Sequence, residues 1–306
     1  MTTTSPAMIT HLLVPLDGSA LAESALPATT RLARALPARV TLLHVMERDA
    51  PATVHGNDHL DDPEEAEAYL AGWIARLAAA GVRADGHVHP NPEGDVARSI
   101  AEHAAELGAD LIVLCAHGEG GARGWWAGTM AQQTIRRAAP PVLMVRPAPG
   151  SAAAPEFAPR TVLVALDGTP QGEAALPAAL ELARALGAGL LLARVVPTAS
   201  TLGGDRAATA LFTPAATAAA LDLDADDARA ELAALAARLA PAGVPVRHEV
   251  LRGDAVRKLA EAAERAAPGL LAVATHAHTG LDALWAGSVG SRVVGKVTTP
   301  LLLVHR

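Results

Sequence analysis

Cysteine, lysine and aromatic residues are rare in the sequence, and each shortage limits what kind of protein it can be. Cys115 is the single cysteine, so no disulfide framework can form within the chain. Lysine occurs only at Lys258 and Lys296, no basic run is present and the formal net charge is −7, which argues against a nucleic-acid partner. Aromatic residues make up 2% of the chain, so its core must be aliphatic.

Targeting signals and long apolar runs are also missing. The first ten residues, MTTTSPAMIT, contain neither the basic region nor the apolar region of a secretory signal. No apolar stretch approaches the ~18 residues that a membrane span needs. We therefore expect a soluble, cytoplasmic protein with no membrane partner.

The chain contains an internal repeat. Residues 11–45 and 161–195 are identical at 18 of 35 positions, at an offset of 150. HGEGGARGWWAGT, residues 117–129, pairs with HAHTGLDALWAGS, residues 276–288, at an offset of 159. The second copy therefore carries nine extra residues, which we place near 197–215. We predict a first domain over 1–147, a Pro- and Ala-rich linker over 148–159 and a second domain over 160–306.

Each copy alternates short aliphatic runs with alanine-rich helical patterns. LIVLC, residues 111–115, is apolar throughout, which is typical of a parallel strand that is covered on both faces. The pattern predicts an α/β fold with two tandem, doubly wound, parallel five-stranded sheets of Rossmann-like topology. The predicted strands are 10–16, 39–46, 82–89, 110–116 and 141–146, then 160–166, 189–196, 245–251, 270–275 and 300–305. Helices lie between them, the first over 20–36.

Two segments of the first copy lie where such a sheet binds ligands, beyond the carboxyl ends of its strands. Asp17 ends strand one, and the glycine-rich segment 115–129 ends strand four. Gly118 and Gly128 would let an anion approach backbone N–H groups, and Thr129 stands at the expected start of the next helix. Asp17 could accept hydrogen bonds from a base or a sugar. Together these residues suggest a nucleotide site.

Other interpretations remain open for the same residues. Asp17 could cap the following helix, and the glycines could form simple turns. The loop is neither a Walker loop nor GxGxxG, because Arg123 occupies the last glycine position. His87 and His89 project from one face of strand three, but no further metal ligand is evident nearby. No partner activates Cys115 and no carboxylate pair suggests acid–base catalysis, so we predict neither catalytic nor metal-binding residues.

The motifs resemble those of the universal stress protein family, over nearly the whole chain and as two tandem domains. The resemblance rests on LLVPLDGS (12–19), LLHV (42–45) and AHG-x9-GT (116–129) followed by VLMVRP (142–147). It implies a sheet like that of the adenine nucleotide α-hydrolases. The nucleotide-binding branch of the family carries Gly-x2-Gly-x9-Gly-Ser/Thr. Cys115 replaces the first of these glycines, whereas Gly118, Gly128 and Thr129 match.

The resemblance also implies roles for individual residues. In the first copy, Asp17 and the backbone of Val45 would contact adenine and ribose, while Gly118, Gly128 and Thr129 would hold phosphates. The corresponding residues that the second copy retains are Asp167, Val195, Gly287 and Ser288. Its early glycines are replaced by Ala274 and Ala277, whose methyl groups would crowd a phosphate.

The function that the resemblance implies is a stress-response module that binds ATP or a related adenine nucleotide, with or without Mg²⁺. Hydrolysis would at most be slow. A scaffold of the same fold that binds no nucleotide is one alternative, and an adenylyl-transferring enzyme is another. The family also implies antiparallel pairing of residues 141–146 with 300–305, making the chain an internal pseudo-dimer. Whether two chains form a homodimer stays open.

Overall fold

The computed structural model describes residues 8–49, 53–54, 57–58, 60–115, 130–146, 156–275, 292–293 and 295–305. The chain forms two compact units. The first unit consists of the first copy together with Pro300–His305, and the second contains the rest of the second copy.

The first unit is built around a parallel sheet. In chain order its elements are β1 (His11–Pro15), α1 (Ala20–Glu23), α2 (Leu26–Ala35), β2 (Arg39–Glu47), β3 (Thr53–Val54), β4 (Asn57–Asp58), α3 (Pro63–Ala79), β5 (Ala84–Glu93), α4 (Val96–Glu106), β6 (Leu111–Cys115), α5 (Met130–Arg137) and β7 (Val142–Val145). The parallel strand order is β5-β2-β1-β6-β7, while β3 and β4 form a separate antiparallel pair. Because β1 lies between β2 and β6, the order reverses there, which confirms the doubly wound prediction.

The second unit repeats this arrangement. Its elements are β8 (Thr161–Leu166), α6 (Leu176–Leu186), β9 (Gly189–Val196), α7 (Gly204–Phe212), α8 (Pro214–Leu239), β10 (Val246–Arg252), α9 (Ala255–Arg265) and β11 (Gly269–Thr275). These strands are parallel in the order β10-β9-β8-β11.

The last strand, β12 (Leu301–His305), belongs to the first unit and runs antiparallel to β7. Leu301 lies opposite Met144, and Leu303 lies opposite Val142. The predicted antiparallel pairing of the final strands of the two copies is therefore confirmed.

The strands form because their side chains are apolar on both faces. Leu12, Leu13 and Val14 of β1 are fully buried, as are Leu111 and Ile112 of β6. A central parallel strand covered by helices on both sides requires this pattern. The helices that cover the sheet are rich in alanine, whose small side chain lets each helix lie close to the strands.

The predicted single helix over 20–36 is wrong. The structure has α1 and α2 instead, with Ser24 and Ala25 between them. Pro27 lies in the first turn of α2, where a missing backbone N–H is tolerated, but it cannot continue a helix that arrives from α1. Because of this break, α1 is a separate single turn, which begins at Ala20, shortly after Asp17.

The extra residues of the second copy lie mainly in α8, so their predicted position near 197–215 is right only in part. The segment between β9 and α8 contains a 3₁₀ turn at Ala199–Thr201 and helix α7, and α8 itself has 26 residues. The corresponding helix of the first copy, α3, has 17 residues. None of the helices within the described ranges combines the length and apolarity needed to cross a bilayer.

Candidate functional site

A crevice opens in the first unit at the carboxyl ends of β1 and β6, where the strand order reverses. Its described walls come from the ends of β1, β2 and β6 and from the first turns of α1, α4 and α5. Asp17 and Val45 both line it, so the structure brings these two predicted site residues together.

Asp17 is held by a hydrogen-bonded turn. Its Oδ1 accepts hydrogen bonds from the backbone N–H of Ser19 at 2.9 Å and from the Ser19 hydroxyl at 2.6 Å. Ser19 Oγ in turn accepts the N–H of Ala22 at 3.1 Å and caps α1. The interpretation of Asp17 as the helix cap is therefore wrong, because Asp17 orients the cap and Ser19 provides it. Across the described residues, Asp17 accepts hydrogen bonds only through Oδ1, which leaves Oδ2 available to a ligand.

Leu60 and His44, which the sequence analysis did not single out, hold the turn at Gly18 in place. Gly18 has φ +85°, and a Cβ on it would lie 2.9 Å from Cγ and Cδ1 of Leu60. The ring of His44, which is 1% exposed, lies 2.8 Å from the Leu16 carbonyl through Nδ1 and 3.2 Å from the Leu60 carbonyl through Nε2. His44 thus ties the end of β1 to the segment that packs on Gly18. A histidine inside the apolar run of β2 was the only signal of this role.

Cys115 is the last residue of β6 and contributes to the wall of the crevice. The hydroxyl of Ser24 donates to its Sγ at 2.9 Å. Burial raises the pKa of the Cys115 thiol to about 11, so the thiol is protonated at neutral pH. It therefore presents a neutral surface to an anion and is a poor nucleophile.

The opposite end of the crevice is formed by the start of α5. Met130 and Ala131, the first two residues of this helix, line the crevice. The first N–H groups of a helix have no partner within the helix and carry the positive end of its dipole, which favours an anion. The predicted phosphate-binding residues Gly118, Gly128 and Thr129 lie outside the described residues.

The second copy keeps the turn but packs it differently. Asp167 Oδ1 accepts the N–H and the hydroxyl of Thr169, at 2.9 and 2.7 Å. A Cβ on Gly172 would lie 2.2 Å from that same oxygen. Gly172 corresponds to Ala22 of the first copy. The carboxylate of Asp167 therefore lies where the methyl group of an alanine such as Ala22 would be. Val195 lies near the end of β9 and is half-buried.

The second copy also differs at the position that corresponds to His44. Arg194 stands where the first copy has His44, and its guanidinium group lies against Gly168 and pairs with Glu231. The remaining predicted residues, Gly287 and Ser288, lie outside the described part of the chain, as do Ala277 and His278.

The paired histidines of β5 face a third histidine. The rings of His87 and His89 each lie 4.9 Å, centroid to centroid, from the ring of His103 in α4. Nδ1 of His103 donates a hydrogen bond to the Ser99 carbonyl at 2.8 Å. No group of three potential ligands that could hold a metal occurs among the residues described by the structure. The ring contacts of His87 and His89 with His103 join β5 to α4.

Comparison with known proteins agrees with the fold and the motifs. The family model described as Universal stress protein family matches residues 8–146 and 159–305, so this chain belongs to that family as a tandem of two domains. It is 30% identical over 152 residues to Universal stress protein YxiE of Bacillus subtilis (strain 168), covering 45% of this chain and 100% of that protein.

Two solved structures show the same fold over nearly the whole chain. A universal stress protein from Archaeoglobus fulgidus DSM 4304 is 16% identical with a TM-score of 0.71, over 98% of this chain and 97% of the other. A functionally unknown protein from Pseudomonas aeruginosa PAO1 is 16% identical with a TM-score of 0.66, over 98% of this chain and 95% of the other.

Proposed function

We propose that the first copy binds an adenine nucleotide, ATP, in the crevice between β1 and β6, and that the protein acts as a stress-response module through this binding. The observation that carries the proposal is that Asp17, Val45 and the start of α5 converge on one crevice at the reversal of strand order. Ligands of open α/β sheets bind at this position.

The end of the crevice near β2 suits a nucleoside. Val96 and Ile100 of α4 provide apolar walls for the flat base, and Oδ2 of Asp17 can accept a hydrogen bond from an amino group or a ribose hydroxyl. The pairing of β2 with β5 jumps from Val45 opposite His89 to Glu47 opposite Glu93. Such an interruption frees backbone groups from the ladder next to Val45, and bulges of this kind are common beside binding sites.

The end of the crevice near α5 suits phosphates. The helix start supplies N–H groups and the positive end of the dipole, and no lysine is needed. Gly118, Gly128 and Thr129 precede α5 directly and would add backbone donors. Mg²⁺ in such sites is held by phosphate oxygens and one or two carboxylates, so it would enter with the nucleotide. Asp17 is the single carboxylate on the described walls, and Ser19 engages it, so any hydrolysis would be slow.

The second copy has a different proposed role, as a structural partner that binds no nucleotide. Asp167 packs against Gly172, and the pairing of β9 with β10 stays regular through Val195 opposite Leu251. Within the described residues, the second copy therefore lacks the interrupted ladder that the first copy has beside Val45. Only the first copy is therefore expected to bind.

Calorimetric titration of nucleotide-free protein with MgATP tests this proposal. Asp17→Asn keeps an oxygen for the Ser19 turn but removes the charge from the ligand side, so binding should weaken about tenfold or more. Asp167→Asn is the matched control, because it makes the same change in the same turn of the second copy, and should leave binding intact. Absence of binding at millimolar MgATP, or a loss caused by Asp167→Asn alone, would contradict the proposal.

A further inference from the structure

Helix α1 forms part of the crevice wall, but it cannot keep its own shape. It is a single turn of four residues, and none of them is buried. An isolated turn of helix is unstable in water, so α1 needs contacts with other elements. Leu21 and Ala22 of α1 line the crevice, and its cap, Ser19, orients Asp17. A contact that fixes α1 therefore also fixes the turn that presents Asp17.

Glu23, the last residue of α1, provides such a contact. Its Oε1 accepts one hydrogen bond from the hydroxyl of Tyr69, at 3.0 Å, and another from the indole N–H of Trp73, at 3.1 Å. Tyr69 and Trp73 are four residues apart on α3, so both project from the same face of that helix. Two donors from α3 thus converge on a single oxygen of α1.

Both donors are fixed in the arrangement that Glu23 requires. Tyr69 is partly buried, and burial together with the charge of Glu23 raises the pKa of its phenol, so the hydroxyl keeps its proton and donates it. The guanidinium carbon of Arg76 lies 4.4 Å from the centre of the Trp73 ring and covers one of its faces. The carboxylate of Glu23 therefore meets two ordered donors.

Glu23 shares the task of holding α1 with the residue that follows the helix. The hydroxyl of Ser24 contacts Sγ of Cys115 and so holds the end of α1 to β6. Glu23 holds the same end to α3. Loss of the Glu23 contact should therefore loosen α1 without releasing it from the sheet.

The second copy holds the corresponding position differently. Glu173 aligns with Glu23 at the offset of 150. Its carboxylate accepts a hydrogen bond from Arg238 of α8 at 2.8 Å, and the side chains of Glu173 and Arg238 are 42% and 64% exposed. Exposed ion pairs contribute little to stability. Glu173 thus has an exposed charged partner, whereas Glu23 accepts from two neutral, partly buried donors.

We propose that Glu23 is a positioning residue for the nucleotide site. It holds α1, and through the cap at Ser19 the carboxylate of Asp17, in the arrangement that binds the ligand. This inference rests on the proposed function of the first copy. Glu23 is not one of the residues on the described walls of the crevice, so it acts through α1 and not on the ligand. Fixing a site before its ligand arrives lowers the ordering cost of binding.

Calorimetric titration of the full, nucleotide-free chain with MgATP, well below the melting temperature, tests the proposal. Glu23→Ala removes the acceptor and should weaken binding about tenfold, because only about a tenth of the folded molecules would have α1 in place. Glu23→Gln removes the charge but keeps an amide oxygen that can accept both hydrogen bonds, so it should restore most of the affinity. Glu173→Ala is the matched control in the second copy and should leave binding unchanged.

Amide hydrogen exchange of residues 17–24 in the nucleotide-free protein tests the hold on α1 without a ligand. Exchange should be about tenfold faster in Glu23→Ala than in the parent, and Glu23→Gln should stay close to the parent. Tyr69→Phe combined with Trp73→Phe removes both donors and keeps aromatic rings at both positions. This double variant should reproduce the faster exchange.

The two measurements separate failure of this inference from failure of the proposed function. Unchanged exchange in Glu23→Ala would overturn the inference, as would faster exchange with unchanged MgATP affinity. Equal losses of affinity in Glu23→Ala and Glu23→Gln, or in Glu173→Ala, would also overturn it. If the parent did not bind MgATP, the proposed function would fail, and exchange alone would decide whether Glu23 holds the turn at Asp17.

Discussion

Gly18→Ala tests whether Leu60 packs on Gly18 and so supports the turn that holds Asp17. The substitution should lower stability in two ways, through strain in the backbone and through a clash with Leu60. Gly18 has φ +85°, which costs a residue with a Cβ about 1–2 kcal/mol. The new Cβ would also lie 2.9 Å from Cγ of Leu60, which cannot swing away because it is not the end of the side chain. Overpacking of this kind costs about 1–3 kcal/mol more. We therefore expect the free energy of unfolding to fall by about 2–5 kcal/mol in total.

Gly81→Ala is the matched control, because Gly81 has φ +78° and nothing lies within 4 Å of a Cβ at that position. It should cost only the backbone strain, about 1–2 kcal/mol. Urea unfolding of both variants, followed by far-UV circular dichroism, measures the difference. Gly18→Ala should also weaken MgATP binding, because displacing Leu60 moves the turn that holds Asp17, whereas Gly81→Ala should not. Equal loss of stability in the two variants would refute the proposed packing of Leu60 on Gly18.

Three further predictions concern stability and reactivity. Gly72→Ala, in the interior of α3 with nothing within 4 Å of the new methyl group, should stabilise the protein by about 0.5–1 kcal/mol, measured by urea unfolding; destabilisation would contradict the open space there. Burial and the nearby ring of His103 lower the pKa of His87 below 6.5, so the unfolded chain takes up the proton first. The free energy of unfolding should therefore decrease as the pH falls below 6.5. In a series of urea midpoints, His87→Gln should make this decrease smaller. Cys115, with a pKa near 11, should react slowly with thiol reagents at pH 8 and rapidly in urea; rapid reaction of the native protein would contradict its burial.

The sheet was predictable from the sequence because its strands carry a local signal. Runs such as 111–115 are apolar at every position, and the repeat fixed the boundaries of one copy from those of the other. The strand order followed from the repeated βα units, since right-handed crossovers leave few arrangements. The predicted strand over 82–89 was placed too early, because β5 runs from Ala84 to Glu93 through a polar segment that lacks the apolar signal.

The site was predictable only in part. Asp17 could be singled out because it ends a strand at the expected reversal of strand order, whereas Val45 was implied by the resemblance to the universal stress protein family. The role of His44 and the packing of Leu60 on Gly18 were not predictable, since Leu60 lies in a segment without periodicity, far along the chain from Gly18. The repeat showed that the second copy has nine extra residues, but it placed them near 197–215, whereas most of the added length lies in α8.

The central claim, that the first copy alone binds an adenine nucleotide, is tested most directly by photolabelling with 8-azido-ATP and mapping the labelled peptides. The azide lies on the base, so it should label the strand and helix that line the nucleoside end of the crevice, residues 39–47 or 96–106. Unlabelled ATP should compete, and Asp17→Asn should reduce the labelling. Competed labelling of residues 189–196 in the second copy, or labelling that ATP does not displace, would contradict the account.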